Sequence, residues 1–183
     1  MQATDLKTGV VYKEDGQPLL VVKYEHTKTA RGGATVKVKT RNLLTGQFLE
    51  KGYKSASRLE DADVYRKNVQ YLYFDGNYVF MDPNTYEQFS MPEDLLGDNS
   101  KFLLEGELIQ VMYFEGNPVS IELPNSMSFE ISETVPGFKG NTVSTVLKEA
   151  TLSNGTVVKV PTFIKIGDRV KIDTRTGEYL SKA

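Results

Sequence analysis

Val69-Gln-Tyr-Leu-Tyr-Phe74, Asp75-Gly76-Asn77, Tyr78-Val-Phe-Met-Asp82, Pro83-Asn84: two short runs rich in aromatic and β-branched residues, one closed by Asp-Gly, the next by Pro-Asn. Side chains of this kind pack well on a pleated surface, and the dipeptides between them are turn formers, so the segment reads as strand, turn, strand, turn. The same grammar extends outward. Downstream come Glu87 to Met91, a short helix over Pro92 to Leu96, Glu107 to Phe114, a turn at Glu115-Gly116-Asn117-Pro118, and Val119 to Leu123. Tyr73-Phe-Asp-Gly-Asn and Tyr113-Phe-Glu-Gly-Asn resemble each other, but nothing around them does, and they read as two similar hairpin turns.

Upstream, Val10 to Lys13, Pro18 to Tyr24, Ala34 to Asn42 and Gln47 to Tyr53 read as strands. The connection from His26 through Gly33 holds no apolar residue larger than alanine and reads as a mobile hairpin tip, with His26 packing at the hairpin base. After residue 126 come Ser128 to Val135, Thr145 to Leu152, Thr156 to Val160, Arg169 to Asp173 and Glu178 to Leu180, five strands that suit an OB barrel. Almost no segment sustains a 3.6-residue period. The fold class is therefore all-β. Closing each set of strands removes exposed sheet edges, which favours three small β-barrels, over 1–63, 64–126 and 127–183. Each core is marginal alone, and the first two barrels are expected to pack together.

Composition narrows the function. The 183 residues contain no cysteine and one histidine, His26, so thiol chemistry, thiolate or histidine-cluster metal sites and most triad mechanisms are disfavoured; neither a cofactor nor a metal is expected. The remaining enzyme reading, a hydrolase built on carboxylates such as Asp82 and Glu87, is weak, because such pairs arise freely in an acidic domain. No run of about 20 apolar residues exists to span a membrane, and Met1 to Asp5 does not open a signal peptide. A cytoplasmic, membrane-free monomer is expected.

Net charge of −2 conceals an uneven distribution. Residues 1–63 carry 11 Lys/Arg against 8 Asp/Glu, residues 64–126 carry 3 against 10, and residues 127–183 carry 8 against 6. Between residues 20 and 58, nine cations face only Glu25 and Glu50. A confined basic face of this kind suits one phosphate backbone, while the acidic middle limits binding elsewhere. The plain alternative is a solvated strand face. The aromatic group Tyr71, Tyr73, Phe74, Tyr78 and Phe80 sits in the acidic piece, which repels phosphate, and is read as core and interdomain packing rather than a base-stacking platform.

Four segments, in order, make the chain resemble bacterial elongation factor P over essentially its whole length. They are Lys28-Thr-Ala-Arg31-Gly-Gly through Asn42-Leu-Leu-Thr-Gly46; Met81-Asp-Pro-Asn-Thr-Tyr86-Glu-Gln; Glu122-Leu-Pro124 with Glu133-Thr-Val-Pro136-Gly; and Lys148-Glu-Ala150 through Asp173-Thr-Arg-Thr-Gly177-Glu-Tyr-Leu-Ser181. The resemblance implies a KOW/SH3-like barrel followed by two OB barrels in an L-shaped, tRNA-like arrangement. It implies a non-enzymatic factor that binds both ribosomal subunits beside the peptidyl-tRNA and relieves stalling at consecutive prolines. Arg31 falls at the loop tip that faces the CCA end, flanked by Lys28, Thr29, Ala30, Gly32 and Gly33, with Lys37, Lys39, Arg41 and Lys54 on neighbouring phosphates. Gly140, Asn141 and Thr142 match a loop near the messenger RNA, and Arg175, Tyr179 and Ser181 fall where small-subunit contacts are expected.

Arginine has no amine to receive the lysine extension found in many relatives. Its flanks also differ from the rhamnosylated group, so bare Arg31 leads over a residue glycosylated by a partner glycosyltransferase. A single-stranded RNA-binding OB protein and a specialised paralogue of the factor are the alternatives.

Overall fold

The computed structural model of the chain describes the backbone of residues 1–29, 33–136 and 147–183, and all side chains there except those of 27, 28 and 29. Three five-stranded antiparallel sheets account for nearly all of it. The first contains β1 (Val11–Glu14), β2 (Gln17–Thr29), β3 (Gly33–Asn42), β4 (Phe48–Lys54) and β5 (Glu60–Asp61), in the order β4-β3-β2-β1-β5. The second contains β6 (Val64–Phe74), β7 (Tyr78–Met81), β8 (Gln88–Met91), β9 (Leu108–Phe114) and β10 (Asn117–Glu122), with helix α1 (Glu93–Leu96) and a 3-10 turn (Gly97–Phe102) inserted before β9. The third contains β11 (Ser126–Thr134), β12 (Leu147–Leu152), β13 (Val157–Pro161), β14 (Arg169–Asp173) and β15 (Tyr179–Lys182).

The second and third sheets share one topology. In each, the first strand is long and central, and its front half pairs with the fourth strand while its rear half pairs with the second. Val64–Gln70 of β6 faces β9 and Gln70–Phe74 faces β7; Ser126–Glu130 of β11 faces β14 and Ile131–Thr134 faces β12. This division of one strand between two neighbours is how an OB sheet curls toward closure. The first sheet is a meander from β1 to β4 with β5 added at the β1 edge.

Alternation explains the cores. Along β14, Arg169 and Lys171 point out while Val170 and Ile172 are completely buried. Each such aliphatic side chain contributes roughly 1.5–3 kcal/mol by leaving water, and a charge at either position would break the strand's inner face. Each barrel has its own cluster of this kind, built around Tyr12, Val21 and Val36 in the first, Val69, Phe80 and Val111 in the second, and Phe129, Ile131 and Leu152 in the third.

Three loops repeat one design. Asn42-Leu-Leu-Thr-Gly46-Gln47, Asp82-Pro-Asn-Thr-Tyr86-Glu87 and Asp173-Thr-Arg-Thr-Gly177-Glu178 join β3 to β4, β7 to β8 and β14 to β15. In each, the first residue's amide donates to the sixth residue's carbonyl, and the fifth residue's amide returns to the first's carbonyl. The first side chain's Oδ1 accepts the third residue's amide at 2.8–2.9 Å, and the threonine hydroxyl accepts the sixth residue's amide at 3.3–3.4 Å. The fifth residue takes φ of +73°, +61° and +74°, a region glycine enters freely and Tyr86 enters at a cost.

Two strand readings need correction. The β2–β3 ladder runs to Thr29 and Gly33, so most of the stretch from His26 to Gly33, read as a mobile tip, is paired strand. Polar side chains hid it, but a ladder is held by backbone groups and tolerates them. His26 is exposed part-way along this hairpin, its Nε2 3.5 Å from Ser55 Oγ, and does not pack at its base. Likewise β6 begins at Val64, ahead of the expected Val69; Tyr65, Arg66, Lys67 and Asn68 are exposed there, so no alternation betrays the strand.

Val11 and Leu43 of the first barrel and Met112, Phe114 and Val119 of the second form a buried cluster between them. Lys13 Nζ lies 3.0 Å from Glu115 at its rim. The second and third barrels meet differently. Asn154 Nδ2 donates to the Lys101 and Leu103 carbonyls at 2.9 and 3.2 Å, the Thr156 hydroxyl donates to the Lys101 carbonyl, and Phe102 inserts into the third core, 6.1 Å from Phe129. Among the described residues no helix is long and apolar enough to cross a membrane.

Candidate nucleic-acid interface

The cationic residues near the hairpin lie on β2, β3 and β4, and alternation decides which face they share. Val36, Val38 and Thr40 point into the first core; Lys37 and Lys39, between them, point out. Register puts Lys37 beside Glu25 and Gly52, and Lys39 beside Lys23 and Glu50, with Lys54 at the end of β4 next to Thr35. The absent side chain at Gly52 leaves a shallow groove of about 460 Å³ on this face, bordered by Lys23, Glu25, Lys37, Lys39 and Glu50. Beyond the Thr35–Lys54 pair, β4 stops, and β2 and β3 continue as two strands to the Thr29–Gly33 pair.

Several of the nine cations counted in sequence are engaged elsewhere. Lys23 Nζ sits 2.7 Å from Glu25, which raises the lysine's pKa and lowers the glutamate's. Lys51 Nζ sits 2.7 Å from Glu14, which also accepts the Tyr53 hydroxyl at 2.9 Å; Tyr53 in turn meets the Tyr12 hydroxyl at 2.8 Å. Burial opposes the Glu14 charge, but these two donors outweigh it and hold its pKa below the usual range; burial first, then these bonds, raise Tyr53's. This partly buried network braces the first barrel and removes Lys51 from the surface count.

Arg41 also departs from its expected place among the phosphate-facing residues. Its Nη2 donates to the Asp94 and Leu95 carbonyls of α1 at 2.7 and 3.1 Å, and desolvation lowers its pKa. It faces the second barrel. Lys37, Lys39 and Lys54 are exposed and make no ion pair among the described residues, with Lys39 Nζ 5.3 Å above the Phe48 ring. Arg31, with Ala30 and Gly32, lies outside the described residues, as do the side chains of Lys28 and Thr29.

On the third barrel, Gly140, Asn141 and Thr142 lie outside the described residues. Arg175 grips Asp173 through Nε and Nη2 at 3.0 and 2.6 Å while its backbone amide caps the same carboxylate. The side-chain bond, then the backbone one, pulls Asp173's pKa down to about 2. Tyr179 is half-buried against the core, and Ser181 is exposed opposite Lys171.

The aromatic group divides. Tyr71 and Phe80 are buried in the second core and Tyr78 packs against it, as read; Tyr73 and Phe74 are exposed. Sequence reading missed the parallel Tyr65–Tyr113 stack, centroids 5.2 Å apart, because the two are a cross-strand pair from distant segments. Asp82 spends its carboxylate on the Asn84 amide, which lowers its pKa. Glu87 is exposed on the far side of that turn. No group of three or more acidic or histidine side chains that could hold a metal occurs among the described residues.

A first barrel with a basic hairpin is followed by two barrels of OB topology. Residues 2–59, 64–121 and 127–182 match, in order, the family models described as the elongation factor P KOW-like domain, OB domain and C-terminal domain. The chain belongs to the elongation factor P family and is a translation elongation factor. It is 44% identical over 180 residues to elongation factor P of Oleidesulfovibrio alaskensis, covering 98% of this chain and 97% of that one. To elongation factor P of Clostridioides difficile it is 43% identical over 183 residues, covering 100% and 99%. Among solved structures, it is similar to translation initiation factor 5A from Methanococcus jannaschii, with TM-score 0.47 and 22% identity over 66% of this chain and 94% of that one.

Proposed function

We propose that this chain binds the ribosome beside the peptidyl-tRNA and stimulates peptide-bond formation at consecutive prolines by holding the tRNA's CCA end with the β2–β3 hairpin. The observation that carries this reading is the hairpin itself. Its two strands outrun the rest of the first sheet, Lys37, Lys39 and Lys54 lie along one face, and Arg31 falls in sequence between the strands' ends. Cations spaced along a strand face follow a phosphate backbone, and a guanidinium offers a rigid fork of donors to phosphate or carbonyl oxygens and a plane to stack on a base.

No group of this chain need react with substrate. Proline is conformationally restricted in peptide transfer, and holding the donor end in an attack-competent geometry recovers rate by orientation alone. Each tenfold is about 1.4 kcal/mol, within reach of ordering one RNA terminus. The Gly140-Asn141-Thr142 loop is assigned to messenger RNA, and Tyr179 and Ser181 to the small subunit. Arg175 joins them only through its outer face, since Asp173 holds the inner one.

Arg31→Ala should leave the fold intact and abolish relief of stalling on a polyproline template in a reconstituted translation system. Full activity of that variant refutes the reading. Intact mass of protein from its native cell tells bare Arg31 from arginine carrying a deoxyhexose. Salt-dependent binding to ribosomes, with none to bare single strands, separates this function from a general RNA-binding OB protein.

A further inference from the structure

Helix α1 is one turn long and leads directly into the 3-10 turn, the Gly97 amide donating to the first of its carbonyls, that of Glu93. Those of Asp94 and Leu95 point across the junction to the first barrel, where one nitrogen of Arg41 donates to both, at 2.7 and 3.1 Å. Carbonyls at a helix C-terminus carry partial negative charge, so a guanidinium from the opposite barrel completes the helix end. Two glycines, one from each barrel, make room for it. A Cβ on Gly46 would stand 2.8 Å from the Asp94 carbonyl oxygen, and a Cβ on Gly97 would stand 3.0–3.3 Å from the guanidinium itself. Both glycines take positive φ, so their backbones also resist other residues. The apolar cluster beside them holds the barrels together without direction, because burial of apolar surface is non-directional. The arginine and its two carbonyls add the direction.

We propose that Arg41 is a positioning residue, a strut that sets the angle of the first barrel, and so of its β2–β3 hairpin, relative to the second barrel. The proposal rests on the hairpin's role above and adds what aims it. Arg41 lies near one end of β3, and Gly33 at the other. At about 3.3 Å per residue the strand between them is a lever of roughly 26 Å. A rotation of only about 2° at the strut moves the far end by about 1 Å, and misplacement on that scale is enough to cost on the order of a hundredfold in an oriented reaction. From Thr35 to Arg41, β3 is paired on both sides, with β2 and β4, so the base of the lever is stiff and the barrel junction is where angle can be lost. Arg41 shares the outward face of β3 with Lys37 and Lys39 but lies at the end next to α1, where the two carbonyls engage it.

The chain has no cysteine, so spin labels on Glu50→Cys and Asp75→Cys report the distance between the first and second barrels. The parent should give one narrow distribution. Arg41→Met, which removes the strut, and Gly46→Ala, which wedges the contact while keeping every cation, should each at least double its width. Both should slow peptide-bond formation at prolines on the order of tenfold or more, with the salt dependence of ribosome binding unchanged. An unbroadened distribution in both variants overturns the proposal. So does a loss in Arg41→Met alone with a salt slope smaller by about 1, the mark of a lost phosphate contact. Broadening with full activity overturns the claim that the angle matters. Failure of the functional reading looks different: Arg31→Ala remains active while its distribution stays narrow.

Discussion

Five buried apolar side chains and the Arg41 hydrogen bonds join the first barrel to the second; the second and third are joined by Phe102, Leu104 and Leu123 against the third core and by side-chain amides and hydroxyls donating to backbone carbonyls. The first kind of junction gains free energy from area and is costly to open at any point. The second combines Phe102, Leu104 and Leu123, packed against the third core, with a short series of directional bonds. The two junctions therefore differ in their share of directional contact, which is larger at the seam through Lys101, Leu103 and Asn154. Local stability is lower wherever buried apolar contact is thin.

The sharpest way to break this comparison is at the apolar junction. Phe114→Ala, which empties a buried site against Met112 and Val119, should cost about 3–5 kcal/mol in denaturant unfolding and lower amide-exchange protection on both sides of that junction. A loss below about 1 kcal/mol would mean that the junction is loosely packed. At the polar seam, Asn154→Ala removes both donors to the Lys101 and Leu103 carbonyls, and should cost about 1–3 kcal/mol. Its exchange signature should be confined to the third barrel and the 3-10 turn; a uniform change across all three barrels would show that the two junctions open together.

The repeated turns give a finer comparison. Tyr86 occupies the positive-φ position that Gly46 and Gly177 fill in the sister loops. Tyr86→Gly should stabilise the second barrel by up to about 1 kcal/mol in thermal unfolding, the strain released exceeding the entropy glycine returns to the unfolded chain. Destabilisation would show that the exposed ring makes contacts that outweigh its backbone. The smallest effect concerns acid. Arg175's bonds depress Asp173's pKa to about 2, so this pair contributes stability that is whole above about pH 4 and fades as pH falls toward 2. A carboxyl titration by NMR should find that low value, and Arg175→Ala should return it toward the ordinary 3.9 or so.

Much of the architecture was legible. Turn dipeptides and runs of β-branched and aromatic residues located most of the strands, and Arg169 to Asp173 matched the observed strand at both ends. What failed, failed for physical reasons. The hairpin beyond His26 and the start of β6 are held by backbone bonds under polar side chains, so patterning by hydrophobicity passes over them. The three related turns were in plain view as Asn or Asp, then Thr at the fourth position and Gln or Glu at the sixth, yet the spacing carried no message until the hydrogen bonds displayed it.

For the interface, sequence supplied the cations but not their employment. Counting gave nine; folding assigned Lys23 to Glu25, Lys51 to Glu14 and Arg41 to a helix end, and left Lys37, Lys39 and Lys54 on the open face. By itself the sequence determined the all-β class, the exclusion of thiol chemistry and the uneven charge along the chain, because these follow from local patterning and composition. Only the tertiary structure decided which charges are satisfied and that Arg41 turns to the second barrel. The longest-range of these contacts, that of Arg41, reaches the Asp94 carbonyl at 2.7 Å and joins residues more than fifty apart in the chain, and no local rule encodes that approach.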